Sequence, residues 1–456
     1  MPRRHQALTA ACIAAALAAA GCQAGHTGAA SATATATTAA RQAGGYTCLP
    51  APPGSPAPCY FTPRLFRTAY GVTSLLDRGI DGRGQTVVLL EAAQAPGAPG
   101  ATDVRQDLAL FDRLFALPAT DLKVTTSLAS GASPYLANNE EAGDAEMVHA
   151  IAPGAAIQVI LLPGASGSST NNTKQFISEV AEGLRLAPRL GGVVSISGGR
   201  GEQCATPAEM TTLNGALQAD RDQGVTVIAA SGDMGAASSP CTGSDGTVSA
   251  PARGVNLPAS DPLVLAVGGT SLRADHVTGA YQGETAWNTP APAAVRSLLP
   301  PGLEAPVASG GGFSSIFPRP AYQAGIPGTG ATRGVPDVAA SASPYAGMAA
   351  AIEFDGKAGV AVADGTSAGA PFWAGIIALA DQDAGRHLGF INPAIYLIGR
   401  GRGYHRAFHD VVTGDNTVNY PSGSVTGYRA APGWDPVTGW GSPDAQVLVP
   451  LLAAEG

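Results

Sequence analysis

The chain has 456 residues, of which 45% are hydrophobic and 13% charged, with a formal net charge of -8 at pH 7. That composition suits a well-packed, loop-rich globule and excludes a disordered or coiled chain; the lack of any long basic run excludes a nucleic-acid partner, which calls for a clustered basic face. The length admits one large α/β domain or about two or three average ones.

The N-terminus carries Arg3 and Arg4, an apolar stretch from Ala7 to Ala20 and then Gly21-Cys22. This is the pattern of a signal peptide over residues 1–22, too short to span a bilayer. Ala19-Ala20-Gly21-Cys22 resembles a bacterial lipobox, with Ala19 where leucine is usual. Cys22 is thus a candidate lipid anchor, and cleavage with ordinary secretion is the alternative; either route takes the protein out of the cytoplasm. Residues 23–45, with alternating Ala and Thr from 32, are too small and polar to bury a core and read as a flexible tether. Four of the six cysteines, Cys48, Cys59, Cys204 and Cys241, lie beyond this region. Export favours disulfides, and proximity in sequence favours Cys48–Cys59 and Cys204–Cys241 over the other pairings. No C-x-x-C or neighbouring Cys/His pair supports a zinc site.

From about Tyr46 onward, strand-like and helix-like segments alternate as in parallel βαβ units. Gln85 to Leu90, Ile157 to Leu162, Val193 to Ile196, Val225 to Ala230 and Leu263 to Val267 are short apolar runs of the kind buried on both faces. Helical patterns fall at about 103–116, 140–151, 173–187 and 207–222. Ligands of open parallel sheets collect beyond the carboxyl ends of the strands. Glu91, Asp233 and Ser367, the last following a strand at Val360 to Ala363, are expected there.

The strongest chemical signal is Gly365-Thr366-Ser367-Ala368-Gly369-Ala370-Pro371 ahead of the apolar run Phe372 to Ala380. Proline is best tolerated in a first helical turn, which predicts that Ser367 sits at a helix start, where amides are unpaired and its own N–H can meet a developing oxyanion. A plain capping role is the commoner use of a Thr-Ser pair. The same motif opens the nucleophile helix of subtilisins, yet none of the seven histidines stands in a His-Gly-Thr-like turn. His149 lies five residues from Asp144, about 140° round a helix, so the two cannot share a face. The helix offers carboxylates instead: Glu140 and Asp144 are i, i+4 neighbours on one face. Burial of such a pair raises one pKa and lets the two share a proton; a solvated acidic face is the bland alternative.

With these segments side by side the chain is similar to the sedolisins, serine-carboxyl peptidases that look like subtilisins but use a Glu-Asp pair in place of histidine. The match runs from about Phe61 to Pro450. It includes Gly79-Ile80-Asp81-Gly82-Arg83-Gly84, Ala152-Pro153-Gly154-Ala155, Ser231-Gly232-Asp233, Pro258-Ala259-Ser260, Gly268-Gly269-Thr270, Ser309-Gly310-Gly311-Gly312-Phe313-Ser314, Val335-Pro336-Asp337-Val338, the Ser367 motif and Gly433-Trp434-Asp435-Pro436. The resemblance implies a subtilisin-like parallel sheet flanked by helices on both faces, as a single catalytic domain over 46–456. It implies Ser367 as nucleophile, Glu140 as base with Glu141 as the neighbouring candidate, Asp144 as its partner, and Asp233 as a protonated oxyanion donor. It places Ser309, Gly310 and Gly311 on a strand that substrate backbone approaches, where a β-bulge is the structural alternative. A calcium ion is implied at the Asp410 and Asp435 carboxylates with the carbonyls of Val411, Ala431 and Gly433, an all-oxygen set that suits it. The expected activity is hydrolysis of protein or peptide substrates at acidic pH, in endopeptidase or tripeptidyl mode, by an exported monomer.

Two departures stand out. Sedolisins carry a large folded propeptide, whereas here only a signal, a tether and a Cys-bracketed loop precede the match, so another route of activation is expected. Ser195-Ile196-Ser197-Gly198-Gly199 has Gly198 where an aromatic is common, which is expected to open part of the cleft. The competing readings are an inactive sedolisin-like surface binding protein and an ordinary subtilisin, the latter disfavoured by the missing histidine motif.

Overall fold

A computed structural model describes residues 48–50, 59–94, 101–126, 137–162, 173–242, 248–290, 307–354, 357–421 and 423–455; for 137–141, 353, 354 and 357 only the backbone path is described. The signal, the tether and Cys22 lie outside the described residues.

The alternating apolar segments form one eight-stranded sheet. In chain order its strands are β1 (Thr86–Ala92), β2 (Leu122–Thr126), β3 (Ala156–Leu162), β4 (Val193–Ile196), β5 (Thr226–Ala230), β6 (Leu265–Ala274), β7 (Tyr281–Ala286) and β8 (Val338–Ser341). In space the order is β7-β6-β5-β4-β1-β3-β2, with β8 also beside β6. Every pairing is parallel except β6 with β7. Between the strands run α1 (Val104–Phe115), α2 (Asn139–Ile151), α3 (Thr173–Leu186) and α4 (Pro207–Asp222), close to the helical segments expected from the sequence.

Strand side chains alternate between two cores, as a period of two requires. Val87 and Leu89 pack with α1 and α2, whereas Val88 and Leu90 pack with α3 and α4. Each fully buried aliphatic of this kind contributes roughly 1.5–3 kcal/mol, and burial on both faces explains why the strands read as unbroken apolar runs. α4 starts where it does because Thr206 and Glu209 form a reciprocal capping box ahead of Pro207.

The strand before Ser367 departs from expectation. Lys357–Ala363 (β10) is not in the central sheet; it pairs antiparallel with Met348–Phe354 (β9), Phe354 opposite Lys357. Two residues between strands permit only a hairpin, because a parallel return needs a long crossover. β10 nonetheless delivers the chain to α5 (Gly365–Ala384), whose residues pack in the same core as α1 and α2. At Gly375 a Cβ would lie 2.8 Å from Ile151 Cβ, so the α5–α2 approach requires glycine.

Both expected disulfides are formed, Cys48–Cys59 and Cys204–Cys241. Among the described residues no helix is long and apolar enough to cross a membrane.

Candidate active site

α5 begins at Gly365, with φ of +76°, and its N–H donates to Ala342 O at 2.8 Å. A Cβ here would stand 2.7 Å from Asp233 Oδ2, so glycine is required by both backbone and space. Thr366 then donates to Asp233 Oδ1 from its N–H at 2.8 Å and its hydroxyl at 2.7 Å, and Thr366 Oγ1 accepts from Gly232 N–H at 3.0 Å. Asp233, in the loop after β5, is thereby tied to the residue before Ser367. Burial pushes its carboxyl above the ordinary value, against the two Thr366 hydrogen bonds. Oδ1 is fully occupied as an acceptor, so a proton on this group would sit on Oδ2.

Ser367, buried to 6% exposure, donates from Oγ to Ser197 O at 3.0 Å. Ser197 follows β4 and its hydroxyl returns the contact, bonding Ser367 O at 3.1 Å and also Asp144 Oδ2. Asp144, on α2, is 3% exposed. Three elements distant in sequence thus meet through Ser197. A hydroxyl carries one proton, so Ser197 can serve both oxygens in full only if Asp144 holds a proton and donates to it. Pro371 accounts for the vacancy that Ser197 fills. It lies inside α5, past the first turn in which the sequence placed it, and its missing N–H leaves Ser367 O without the usual i+4 donor. Glu140 lies on α2 one turn before Asp144; its side chain, like that of Glu141, lies outside the described residues.

His149 is engaged elsewhere. It is buried on α2 with Nε2 at 3.0 Å from Asp112 Oδ1 and 2.8 Å from Pro118 O, on a different face of the helix from Asp144 as the helical angle requires. Ser309 is buried, with its hydroxyl bonded to Gly269 N–H and Val437 O at 2.9 and 2.6 Å. Gly310 N–H donates to Gly232 O at 2.7 Å, and Cβ atoms at 310 and 311 would strike Ser231 O and Pro436 O. The close approach these glycines permit is to the chain's own backbone, joining the Asp233 loop to the C-terminal loops.

The Asp410 and Asp435 carboxylates converge on one loop: Gly433 N–H faces both oxygens of Asp410 at 3.2 Å, and Ala431 N–H donates to Asp435 Oδ2 at 3.1 Å. Burial pushes Asp435 up to about 6, and among the described residues the one basic side chain in ion-pairing range of Asp410 is the imidazole of His405, at 4.0 Å. Among the described residues no donor takes the carbonyls of Val411, Ala431 and Gly433. Two carboxylates under-supplied with positive charge beside three free carbonyls fit a hard cation with oxygen ligands.

Ser197 and Thr366, which connect the site, carried no sequence assignment. The signal for Ser197 was Pro371, which announces an unpaired carbonyl at 367.

Models of known protein families give no match to the chain. The chain is 32% identical to kumamolisin of Bacillus sp. (strain MN-32) over 402 residues, 85% of this chain and 63% of that protein. It is 29% identical to sedolisin of Pseudomonas sp. (strain 101) over 376 residues, 78% and 57% respectively. With tripeptidyl-peptidase 1 of Homo sapiens it shares 29% over 286 residues, 57% and 43%. The chain therefore spans less than two thirds of the length of these relatives. Among solved structures, Pseudomonas sedolisin, a serine-carboxyl proteinase complexed with two molecules of pseudo-iodotyrostatin, matches with a TM-score of 0.68 at 24% identity, over 87% of this chain and 98% of that one. Sheet, flanking helices and this likeness define a single α/β domain of the subtilisin-like kind. The chain belongs to the sedolisin family.

Proposed function

We propose that the protein is an exported serine-carboxyl peptidase that hydrolyses peptide bonds at acidic pH. The observation that carries this reading is the bonded chain Asp144–Ser197–Ser367, closed on its other side by Asp233 held to Thr366. The names of the relatives support the activity, including tripeptidyl-type peptidases.

In the proposed reaction Ser367 Oγ attacks the scissile carbonyl carbon while its proton passes to Glu140, which Asp144 orients. The carbonyl oxygen becomes an oxyanion, met by the proton on Asp233 Oδ2 and by Ser367 N–H, which has no intrahelical acceptor in the first turn. Glu140 then gives its proton to the leaving amine as the C–N bond breaks. Water, deprotonated by Glu140, attacks the acyl carbon, and Glu140 returns that proton to Ser367 Oγ as the acyl–oxygen bond breaks. A neutral Asp233 is required throughout, which its burial favours and which places the activity in acid. Ser309, Gly310 and Gly311, whose backbone groups are bonded within the chain, would serve the substrate by supporting the wall of the cleft and not by bonding it.

Calcium would be held by Asp410 and Asp435 with the carbonyls of Val411, Ala431 and Gly433, where it supplies structural cross-linking of the C-terminal loops. The substrates are proteins or peptides, and a monomer suffices because all proposed groups come from one chain. The two disulfides and the N-terminal segment support an extracellular location, with Cys22 as the proposed attachment if the protein is lipid-anchored. Incubating the purified protein with a denatured protein at pH 4 and reading new N-termini by mass spectrometry tests the reading: cleavage absent in Ser367→Ala supports it, and no cleavage at any pH between 2.5 and 8 contradicts it.

A further inference from the structure

Arg200, three residues after Ser197, is a cation that meets no anion among the described residues. Its guanidinium lies 4.6 Å from the centroid of the Phe176 ring, and Nη1 donates to Gly199 O at 2.9 Å. Among the described residues no carboxylate comes within ion-pairing distance of it, and Nε and Nη2 donate to none of them. Partial burial pulls its pKa down to about 10, so it is charged throughout the acidic and neutral range.

Its placement is fixed from three sides. Arg200 and Gly201 pair antiparallel with Leu257 and Asn256, and Asn256 Nδ2 donates to Ser231 O at 3.0 Å, two residues before Asp233. Phe176, buried on α3, supplies the face under the guanidinium. A Cβ at Gly198 would lie 3.2 Å from Phe176 Cε2, so a side chain there would press on the ring that supports Arg200. Gly198 in turn follows Ser197, whose carbonyl holds Ser367 Oγ. The guanidinium is therefore one ring away from the backbone that touches the nucleophile. Gly198, Gly199 and Arg200 are all partly exposed.

We propose that Arg200 is a specificity-determining residue that receives an acidic side chain of the substrate, close to the scissile bond. The proposal rests on the peptidase reading above. A partly desolvated guanidinium with its Nε/Nη2 edge free is suited to side-on, bidentate carboxylate binding, and an aromatic face behind it keeps that edge oriented. Such a cation left unpaired is costly, and a substrate carboxylate removes that cost only when it is bound. Gly198 serves the same subsite by leaving Phe176 room to support the guanidinium.

The test is a set of otherwise neutral decapeptides in which one Glu is moved along the sequence, with Gln at the same positions as control, assayed at pH 5 so that the glutamyl carboxyl is mostly ionised. At one position the wild type should show kcat/KM for Glu at least about tenfold above Gln, as a charge-assisted pair predicts. Arg200→Gln should bring that ratio to within about twofold, and Arg200→Glu should invert it toward Lys at the same position. A wild-type ratio within twofold at every position, or a ratio that survives Arg200→Gln, overturns the proposal. If no peptide is cleaved, the peptidase reading fails separately. Binding of the same peptides to Ser367→Ala, followed by calorimetry, then decides on Arg200: a Glu preference lost in Ser367→Ala/Arg200→Gln upholds it, and equal affinity for Glu and Gln peptides refutes it.

Discussion

Ser197 Oγ bonds the carbonyl of Ser367 at 3.1 Å in the place of a helical amide, because residue 371 is proline and has no N–H to give. α5 and α2 are joined through that hydroxyl, since it also bonds Asp144. Ser197→Ala is expected to lower kcat by about 10–100-fold with KM little changed, and to cost about 1–3 kcal/mol for the carbonyl left buried and unpaired. Ser197→Thr, which keeps the hydroxyl, should recover most of kcat. Steady-state kinetics with denaturant unfolding of both variants check this; equal loss in the two would show that bulk and not the hydroxyl matters.

Asp233 should set the alkaline side of the activity profile. Its carboxyl is pushed above the ordinary value by burial, so the neutral donor persists to higher pH than a solvent-exposed aspartate would allow. Asp233→Asn keeps a donor that never ionises, and its kcat/KM should therefore decline at higher pH than that of the wild type. An alkaline limb unmoved by Asp233→Asn assigns that limb to another group of the coupled system.

Much of the site was legible in the sequence and some was not, for identifiable reasons. Apolar runs and helical periods located the central strands and α1 to α4 because burial on both faces writes a simple pattern. β10 was misplaced since a β-rich run does not state its partner; the Asp355-Gly356 pair ahead of it was the hairpin signal. Pro371 was put in the first turn by the general preference of proline, whereas the hydroxyl of Ser197, just after β4, makes an interior proline tolerable here. Asp144, Asp233 and Ser367 were proposed from their motifs, whereas Ser197 and Thr366 make their contacts between distant segments, which no local spacing encodes.

Stability should fall as pH rises. Burial pushes Glu146 well above its ordinary range, and Asp220 and Asp381 each up to about 7. An acid whose folded pKa is raised contributes its full share below the unfolded value near 4 and loses it as pH climbs through the folded one. His409, pulled down by burial, works in the opposite direction on the acid side. Thermal unfolding should therefore show a higher midpoint near pH 5 than at pH 8, with the difference reduced in Glu146→Gln. A midpoint independent of pH over that span would contradict these burial effects.

Calcium should raise the unfolding midpoint and a chelator lower it, since a ligand bound only by the native state stabilises by RT ln(1 + [L]/Kd). Asp410→Ala and Asp435→Ala should each abolish the calcium dependence. Melting curves indifferent to both calcium and chelator would remove the ion from the account.

Carboxylates, in this mechanism, drive Ser367, and the decisive measurement is the pH dependence of kcat/KM on one neutral peptide from pH 2.5 to 8 for the wild type and Glu140→Gln. A histidine base loses activity as pH falls through about 6.5, whereas a Glu140–Asp144 pair with a neutral Asp233 gives a bell centred in acid. The predicted result is an acidic maximum, with Glu140→Gln inactive at every pH because an amide cannot accept the proton from Ser367. A wild-type maximum near neutrality, with Glu140→Gln still active, would contradict it.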